Sequence, residues 1–264
     1  PFKSWHDRKI TKKKIIILGG YNFLKVLKNF KNKNFCFVIP SKEKAFSTNL
    51  QKDFIKSFGS QVYISDYKIK NLKKIILNIK PDYLISLGWR RILPKEIISL
   101  FNQCINVHPA ILPEYKGYHP IPYVLMNNEK EHGITAHIMT EKVDSGGILI
   151  CKKFKIDQFT TINSIQDKIK KMMPNFLKEL IDILNSKKII FKSNKSKKTK
   201  IIAPKRKPKD SEIKPNMNFR DVFNIIRSSD PKRFPAYYLV NGKKVYVSLT
   251  RNISNKAKKY RGDI

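Results

Sequence analysis

The chain has 264 residues, and 55 Lys and Arg against 20 Asp and Glu give it a formal net charge of +35. At 41% hydrophobic and 11% aromatic it has the composition of a packed globular protein, which excludes a chain kept disordered by charge repulsion. No apolar run approaches the roughly 18–20 residues that cross a bilayer, and Cys36, Cys104 and Cys151 lack the paired spacing of a zinc site or a disulfide framework. The expectation is a soluble, cytoplasmic protein with buried free thiols, no metal and no membrane contact. Length favours one large domain, or one of about 150–200 residues with an appendage. The charge favours anionic partners, whether nucleic acid, a membrane surface or a phosphorylated or polycarboxylate small molecule, but lysine scattered over a solvated face gives the same total. The one dense cluster spans 192–209, includes Lys195, Lys197, Lys198, Lys200, Lys205, Arg206 and Lys207, and reads as a connector.

The first element is a β-branched strand over 14–18, ended by Gly19-Gly20; Phe23, Leu24, Leu27 and Phe30 then recur at helical spacing over 22–30. A second strand over 35–39 is closed by Pro40, and a helix over 43–58 stops at Gly59. A third strand covers 61–64. The stretch 69–79 places Leu72, Ile75, Ile76 and Ile79 on one helical face and ends at Pro81, before a fourth strand over 83–87. A helix over 94–101 opens on proline, which first turns tolerate, and a buried strand over 104–107 runs into His108-Pro109. Strands alternating with helices in this way make parallel βαβ units, so the fold class is α/β.

Beyond His108 the pattern loosens into a Pro-rich segment over 109–122 and a short helix over 123–127. Strands over 133–139 and 147–156 bracket 140–146. A long amphipathic helix over 162–184 comes next, which Pro174 is expected to kink or divide. The tail holds a helix over 219–228 and a hairpin, with strands 237–240 and 243–249 around an Asn241-Gly242 type I′ turn. These divisions make a domain over 1–191, a basic linker over 192–209 and a small α+β subdomain over 210–264.

The chemistry concentrates around Asn106-Val107-His108-Pro109. Residues two apart on a strand point the same way, so Asn106 and His108 project together at the carboxyl end of a sheet strand, where open α/β sheets place their ligands. An amide that donates to an oxyanion beside an imidazole that moves protons is an acyl-transfer pair; a structural, hydrogen-bonding histidine is the alternative. Asp144, in Val143-Asp144-Ser145-Gly146-Gly147, comes after another strand and either orients that imidazole or simply turns the chain.

Three motifs stand in order: Asn106-x-His108-Pro109-x-x-Leu112-Pro113-x-Tyr115-Lys116-Gly117, then His132-Gly133-Ile134-Thr135-x-His137, then Asp144-x-Gly146-x-Ile148. Together they resemble the 10-formyltetrahydrofolate-dependent formyltransferases. The resemblance implies a Rossmann-like catalytic domain with a mostly parallel sheet, and a catalytic trio of Asn106, His108 and Asp144. Leu87-Gly88-Trp89-Arg90-Arg91-Ile92-Leu93-Pro94 is similar to the family's folate segment. By that likeness the backbone of Arg91, Ile92 and Leu93, with the loop holding Met139, Thr140, Glu141, Val143 and Asp144, binds the pterin of N10-formyltetrahydrofolate as co-substrate.

Which amine is formylated turns on the remainder of the chain. The C-terminal region argues against a glycinamide ribonucleotide enzyme, which as a family is essentially the first domain alone. The segment from Ala203 to Ile213 and the helix around Val222-Phe223-Asn224 resemble the linker and first helix beyond the catalytic domain in the methionyl-tRNA and amino-sugar enzymes. The tRNA enzymes carry a longer C-terminal barrel and a glycine-containing basic loop; here 41–51 lacks glycine and the tail stops at Ile264. Both departures favour a nucleotide-diphosphate-linked amino sugar, as in O-antigen synthesis, with methionyl-tRNA the alternative and a catalytically silent RNA-binding protein a third reading. Tyr115, Lys116, Gly117 and His119 are expected to flank the amine, diphosphate or sugar, and Phe234, Tyr237 and Tyr238 to offer a ring to the base. No nucleic-acid partner is expected, and the oligomeric state is open, a homodimer included.

Overall fold

The computed structural model describes residues 13–20, 23–28, 30, 33–41, 48–186, 188–195 and 202–249. The N-terminal basic stretch up to residue 12, the first residues of the helices expected from 22 and 43, most of the segment 41–51, and Lys197, Lys198 and Lys200 lie outside them. The elements, in chain order, are β1 (Ile15–Gly19), α1 (Leu24–Leu27), β2 (Phe35–Pro40), α2 (Thr48–Phe58), β3 (Val62–Ser65), α3 (Ile69–Ile79), β4 (Tyr83–Leu87), α4 (Lys95–Ile98) and β5 (Gln103–His108). Then come β6 (Lys116–Gly117), α5 (Pro120–Met126), β7 (Glu131–Ile138), β8 (Ile148–Lys155), α6 (Ile162–Asn185), β9 (Ile202–Ala203), α7 (Phe219–Ser228), β10 (Ala236–Val240) and β11 (Lys243–Val247). By its contacts the chain divides into two compact units, 1–108 with 135–150 and 173–194, and 109–134 with 151–172 and 195–264.

The strands of the main sheet run in the order β3-β2-β1-β4-β5-β7-β8. The first five are parallel and β7 is antiparallel to β5, so the sheet is the mostly parallel one of the expected α/β class. β1 and β4 are buried along their whole length, as apolar runs in a sheet covered on both faces are. Alternate residues of β2 mark those faces. Phe37 meets Phe54 and Phe58 of α2, with ring centroids 5.2 and 4.6 Å apart, while Val38 joins Leu72, Ile76 and Ile79 of α3 and Ile97 of α4 in one apolar cluster. Each such side chain, fully buried, contributes about 1.5–3 kcal/mol, which orders helices too short to persist alone. Strand order reverses between β1 and β4, the place where open α/β sheets leave a crevice at their carboxyl ends.

In the second unit α5 packs against α7, β6 pairs in parallel with β9, and β10 and β11 form the expected hairpin across Asn241-Gly242. Among the described residues of the basic segment, Asn194, Ala203 and Arg206 are buried. Pro174 does not divide the long helix, as one of the two expected outcomes had it: α6 runs as a single helix with Pro174 inside it. It buries Ile165, Ile169, Met173, Phe176, Leu177, Leu180, Ile181 and Leu184, and that burial outweighs the roughly 3 kcal/mol an interior proline costs. No helix among the described residues is long and apolar enough to cross a membrane.

Candidate active site

The strand end expected to carry chemistry is the end of β5. Its antiparallel register with β7 sets Asn106 opposite His137 and His108 opposite Thr135, so these side chains share one face of the sheet. Asp144 enters from the loop between β7 and β8. Its Oδ2 lies 3.4 Å from His108 Nδ1, and its Oδ1 lies 3.2 Å from His137 Nε2. Asn106 Nδ2 is 3.3 Å from both Asp144 Oδ1 and His137 Nε2. His108, His137 and Asp144 are buried, with 3%, 1% and 8% of their surface exposed, and Asn106 is half-buried. In so little water an ionic contact is far stronger than at the surface.

The hydrogen bonds assign one proton. His137 Nδ1 is 2.9 Å from the Ile138 carbonyl, an acceptor only, so Nδ1 is protonated and donates. Nε2 is then an acceptor, and Asn106 Nδ2, 3.3 Å from both Nε2 and Asp144 Oδ1, is the amide that donates between them.

The Asp144 loop is built to hold this geometry. Asp144 adopts φ 47°, a left-handed conformation costly for most residues. Asn194 Nδ2 donates to the carbonyls of Asp144, at 3.0 Å, and Gly146, at 2.8 Å. A Cβ on Gly146 would lie 2.0 Å from the Ile138 carbonyl oxygen, so only glycine lets the loop return this close to β7.

The residues expected to hold the pterin gather from two distant segments in the same unit. Leu93 belongs to the core cluster beneath β4, and Trp89 and Met139 pack against that cluster. Lys95 and Glu141 tie the segments together at the surface through a 2.8 Å ion pair, which raises the lysine and lowers the carboxyl from their usual ranges. The Arg91 guanidinium lies over the Tyr67 ring, 5.4 Å from its centroid, and Tyr67 contacts Trp89. Ile92 and Val143 are exposed, at 79% and 52%, and Thr140 Oγ1 is held by the Lys142 carbonyl.

The residues expected to meet the acceptor lie in the second unit. Tyr115 is buried; its hydroxyl donates to Glu129 and accepts from Asn127, and burial with the Glu129 bond pushes the phenol well above its usual range. Lys116 and Gly117 form β6 against β9, and Gly117, at φ 120°, leaves a space of only 2.5 Å between a notional Cβ and the Ala203 carbonyl. His119 Nδ1 accepts the Arg206 backbone N–H at 2.8 Å. Tyr237 is buried, donates to Glu212 and carries Lys244 over its ring, whereas Tyr238 is exposed.

Two residues at the site, His137 and Asn194, lie beyond the sequence expectations. For His137 a signal exists, because in an antiparallel pair the residue opposite Asn106 shares its face. Asn194 has none: it reaches Asp144 from 50 residues away in sequence.

Comparison with known proteins bears on this geometry. The family model described as formyl transferase matches residues 13–181. A methionyl-tRNA formyltransferase of Thermodesulfovibrio yellowstonii is 30% identical over 225 residues, covering 83% of this chain and 72% of its own length. The chain spans about half the length of others it matches, 47% for the Borreliella afzelii enzyme. Among solved structures, a 4-N formyltransferase from Francisella tularensis superposes with a TM-score of 0.73 at 21% identity, covering 92% of this chain and 99% of that one. A sugar N-formyltransferase from a Shewanella species has a TM-score of 0.67 at 18% identity, again over 92% and 99%.

Proposed function

Because the chain belongs to the formyl transferase family, a family of formyl-transferring enzymes, we propose that it formylates the primary amine of a nucleotide-diphosphate-linked amino sugar, with N10-formyltetrahydrofolate as donor. The observation that carries the reading is the buried contact of His108 and Asn106 with Asp144. The donor supplies the formyl group. Residues 91–93 and 139–143 suit its flat ring: they are brought together by the Leu93 and Met139 packing, and they leave Ile92 and Val143 as apolar surface beside the backbone.

The roles of the chain's own residues rest on their protons. Asp144 Oδ2 holds His108 by Nδ1, leaving Nε2 to face the reacting centre. As an imidazolium, His108 donates from Nε2 to the negative charge that develops on the formyl oxygen. Asp144 Oδ1 and His137 Nε2 are close enough to share one Asn106 N–H, and the second is free to donate to the same oxygen. Each such donor is worth about 10²–10³ in rate. As the new C–N bond forms and the bond to the donor nitrogen breaks, one proton leaves the amine and one reaches that nitrogen. His108 relays it within the water-poor site.

The amino-sugar acceptor is supported by the near end-to-end correspondence with the sugar N-formyltransferase fold. A methionyl-tRNA acceptor is the second reading, favoured by the 30% identity to the Thermodesulfovibrio enzyme and by the charge of +35. Purified protein assayed with dTDP-, UDP- and GDP-linked amino sugars and with methionyl-tRNA separates them. Formylation of a nucleotide sugar without RNA is expected. Turnover of methionyl-tRNA alone, with binding that falls steeply with salt, establishes the second reading instead. His108→Ala and Asp144→Ala are expected to abolish transfer while keeping native circular dichroism, and near-normal turnover in either sinks the assigned roles.

A further inference from the structure

The second unit carries a cation and an aromatic ring set together at its surface, for which the fold has no use. Tyr118 is 48% exposed. Its backbone N–H donates to the Ala203 carbonyl at 2.7 Å, continuing the pairing of β6 with β9, and this places it beside Lys205. Lys205 Nζ lies 5.5 Å from the Tyr118 ring centroid. Lys205 is exposed, and among the described residues it has no carboxylate in ion-pair range. An exposed cation over an aromatic ring contributes little to stability.

The surroundings reinforce the positive field. Among the described residues the buried Arg206 guanidinium donates to neutral oxygens, the carbonyls of Ser228 and Asp210 and the hydroxyls of Ser211, Ser228 and Ser229. The nearby carboxylate, Asp210, accepts the Lys207 backbone N–H. His119 packs edge-on to Tyr118, with centroids 4.8 Å apart. Since its Nδ1 accepts from the Arg206 N–H, its proton sits on Nε2, which is a donor.

A cation with no counter-ion among the described residues and an aromatic ring with an open face match a phosphate chain attached to a flat base. The geometry points to Tyr118 and Lys205 as a nucleoside-diphosphate-binding site within the second unit, Lys205 pairing with phosphate oxygens and the open face of Tyr118 stacking on the base. The inference rests on the nucleotide-linked acceptor proposed above and names the residues that recognise its nucleotide half.

Titration calorimetry of the full chain with dTDP, UDP, GDP and inorganic pyrophosphate tests it. Wild-type protein is expected to bind at least one nucleoside diphosphate, and Lys205→Ala and Tyr118→Ala each to weaken it by at least about tenfold. Pyrophosphate binding should fall with Lys205→Ala and survive Tyr118→Ala, and Lys205→Arg should retain the nucleotide. Both side chains are exposed, so all three variants should keep the wild-type Tm. No nucleotide binding by wild type, or unchanged affinity in both alanine variants, overturns the site. The formylation assay reports separately on the acceptor: turnover of a nucleotide sugar with an unchanged KM in both alanine variants removes the site and leaves the acceptor standing. Formylation of methionyl-tRNA alone, with nucleotide binding still lost in the variants, removes the acceptor and leaves the site.

Discussion

Asn106 on β5 and His137 on β7 face each other across an antiparallel ladder with Nδ2 3.3 Å from Nε2, and Asp144 Oδ1 closes a triangle with both. His137 thereby positions the carboxylate that holds His108. His137→Ala removes one of the contacts that fix Asp144 and should lower kcat by about 10–100-fold, the scale of a small misplacement of reacting groups. The KM for the formyl donor should change little. Steady-state kinetics beside circular dichroism checks this, and a wild-type kcat in the folded variant removes His137 from the site.

The return of the Asp144 loop to β7 depends on Gly146. A methyl group there meets both the carbonyl oxygen and the carbonyl carbon of Ile138, at 2.0 and 2.8 Å, and backbone cannot swing aside as a side chain does. Gly146→Ala should destabilise by about 1–3 kcal/mol or more and displace Asp144. Lower Tm and lost transfer are expected together. A variant with wild-type Tm and kcat would show that the loop has room the structure denies.

Arg227 ties the second unit together. Buried to 2% exposure, it donates to Asn224 Oδ1 and Asn128 Oδ1 and to the carbonyls of Leu125, Asp157, Gln158 and Thr160. Arg227→Leu removes the donor from these oxygens and should cost about 1–3 kcal/mol, the range for a lost hydrogen-bond partner at a buried polar group. Arg227→Lys keeps the charge but not the fork, and should fall between wild type and leucine. Thermal unfolding of the three proteins measures the order.

Burial pushes the Cys104 thiol up to about 12, against about 8.5 in an unfolded chain. The folded state keeps this proton where the unfolded state releases it, so the contribution is fully present below about pH 8.5 and is lost as pH rises toward about 12. Tyr115, also raised by burial, acts in the same direction at still higher pH. The Tm of wild type should therefore fall more steeply above about pH 9 than that of Cys104→Ala. Iodoacetamide at about pH 8 should leave Cys104 unlabelled in the native protein, as mass spectrometry of its peptides would show.

Much of the site is legible in the order of residues alone. Strand β5 can be placed by its apolar run, and the period of two along a strand puts Asn106 and His108 on one face without knowledge of any neighbour. The long helix is legible as well, but its continuity through Pro174 is not, because a local rule against proline cannot weigh the burial of a whole helical face. The two-residue strands β6 and β9 are invisible for a related reason: they have no periodicity, and pair only because Gly117 lets two backbones approach.

Taken alone, the sequence determined the α/β class, through strands and helices that alternate, and the chemical groups present, through motifs short enough to be read locally. Tertiary structure decided which of those groups meet. The register of β5 on β7 brought His137 to Asn106, the loop closed by Gly146 delivered Asp144 to both histidines, and Asn194 locked that loop from 50 residues away. Likewise Lys205, one lysine among many in the chain, is distinguished only by the pairing of β6 with β9 that seats it on Tyr118. Side-chain direction repeats with the local backbone, whereas pairing register and loop closure depend on residues distant in the chain, and no local period encodes them.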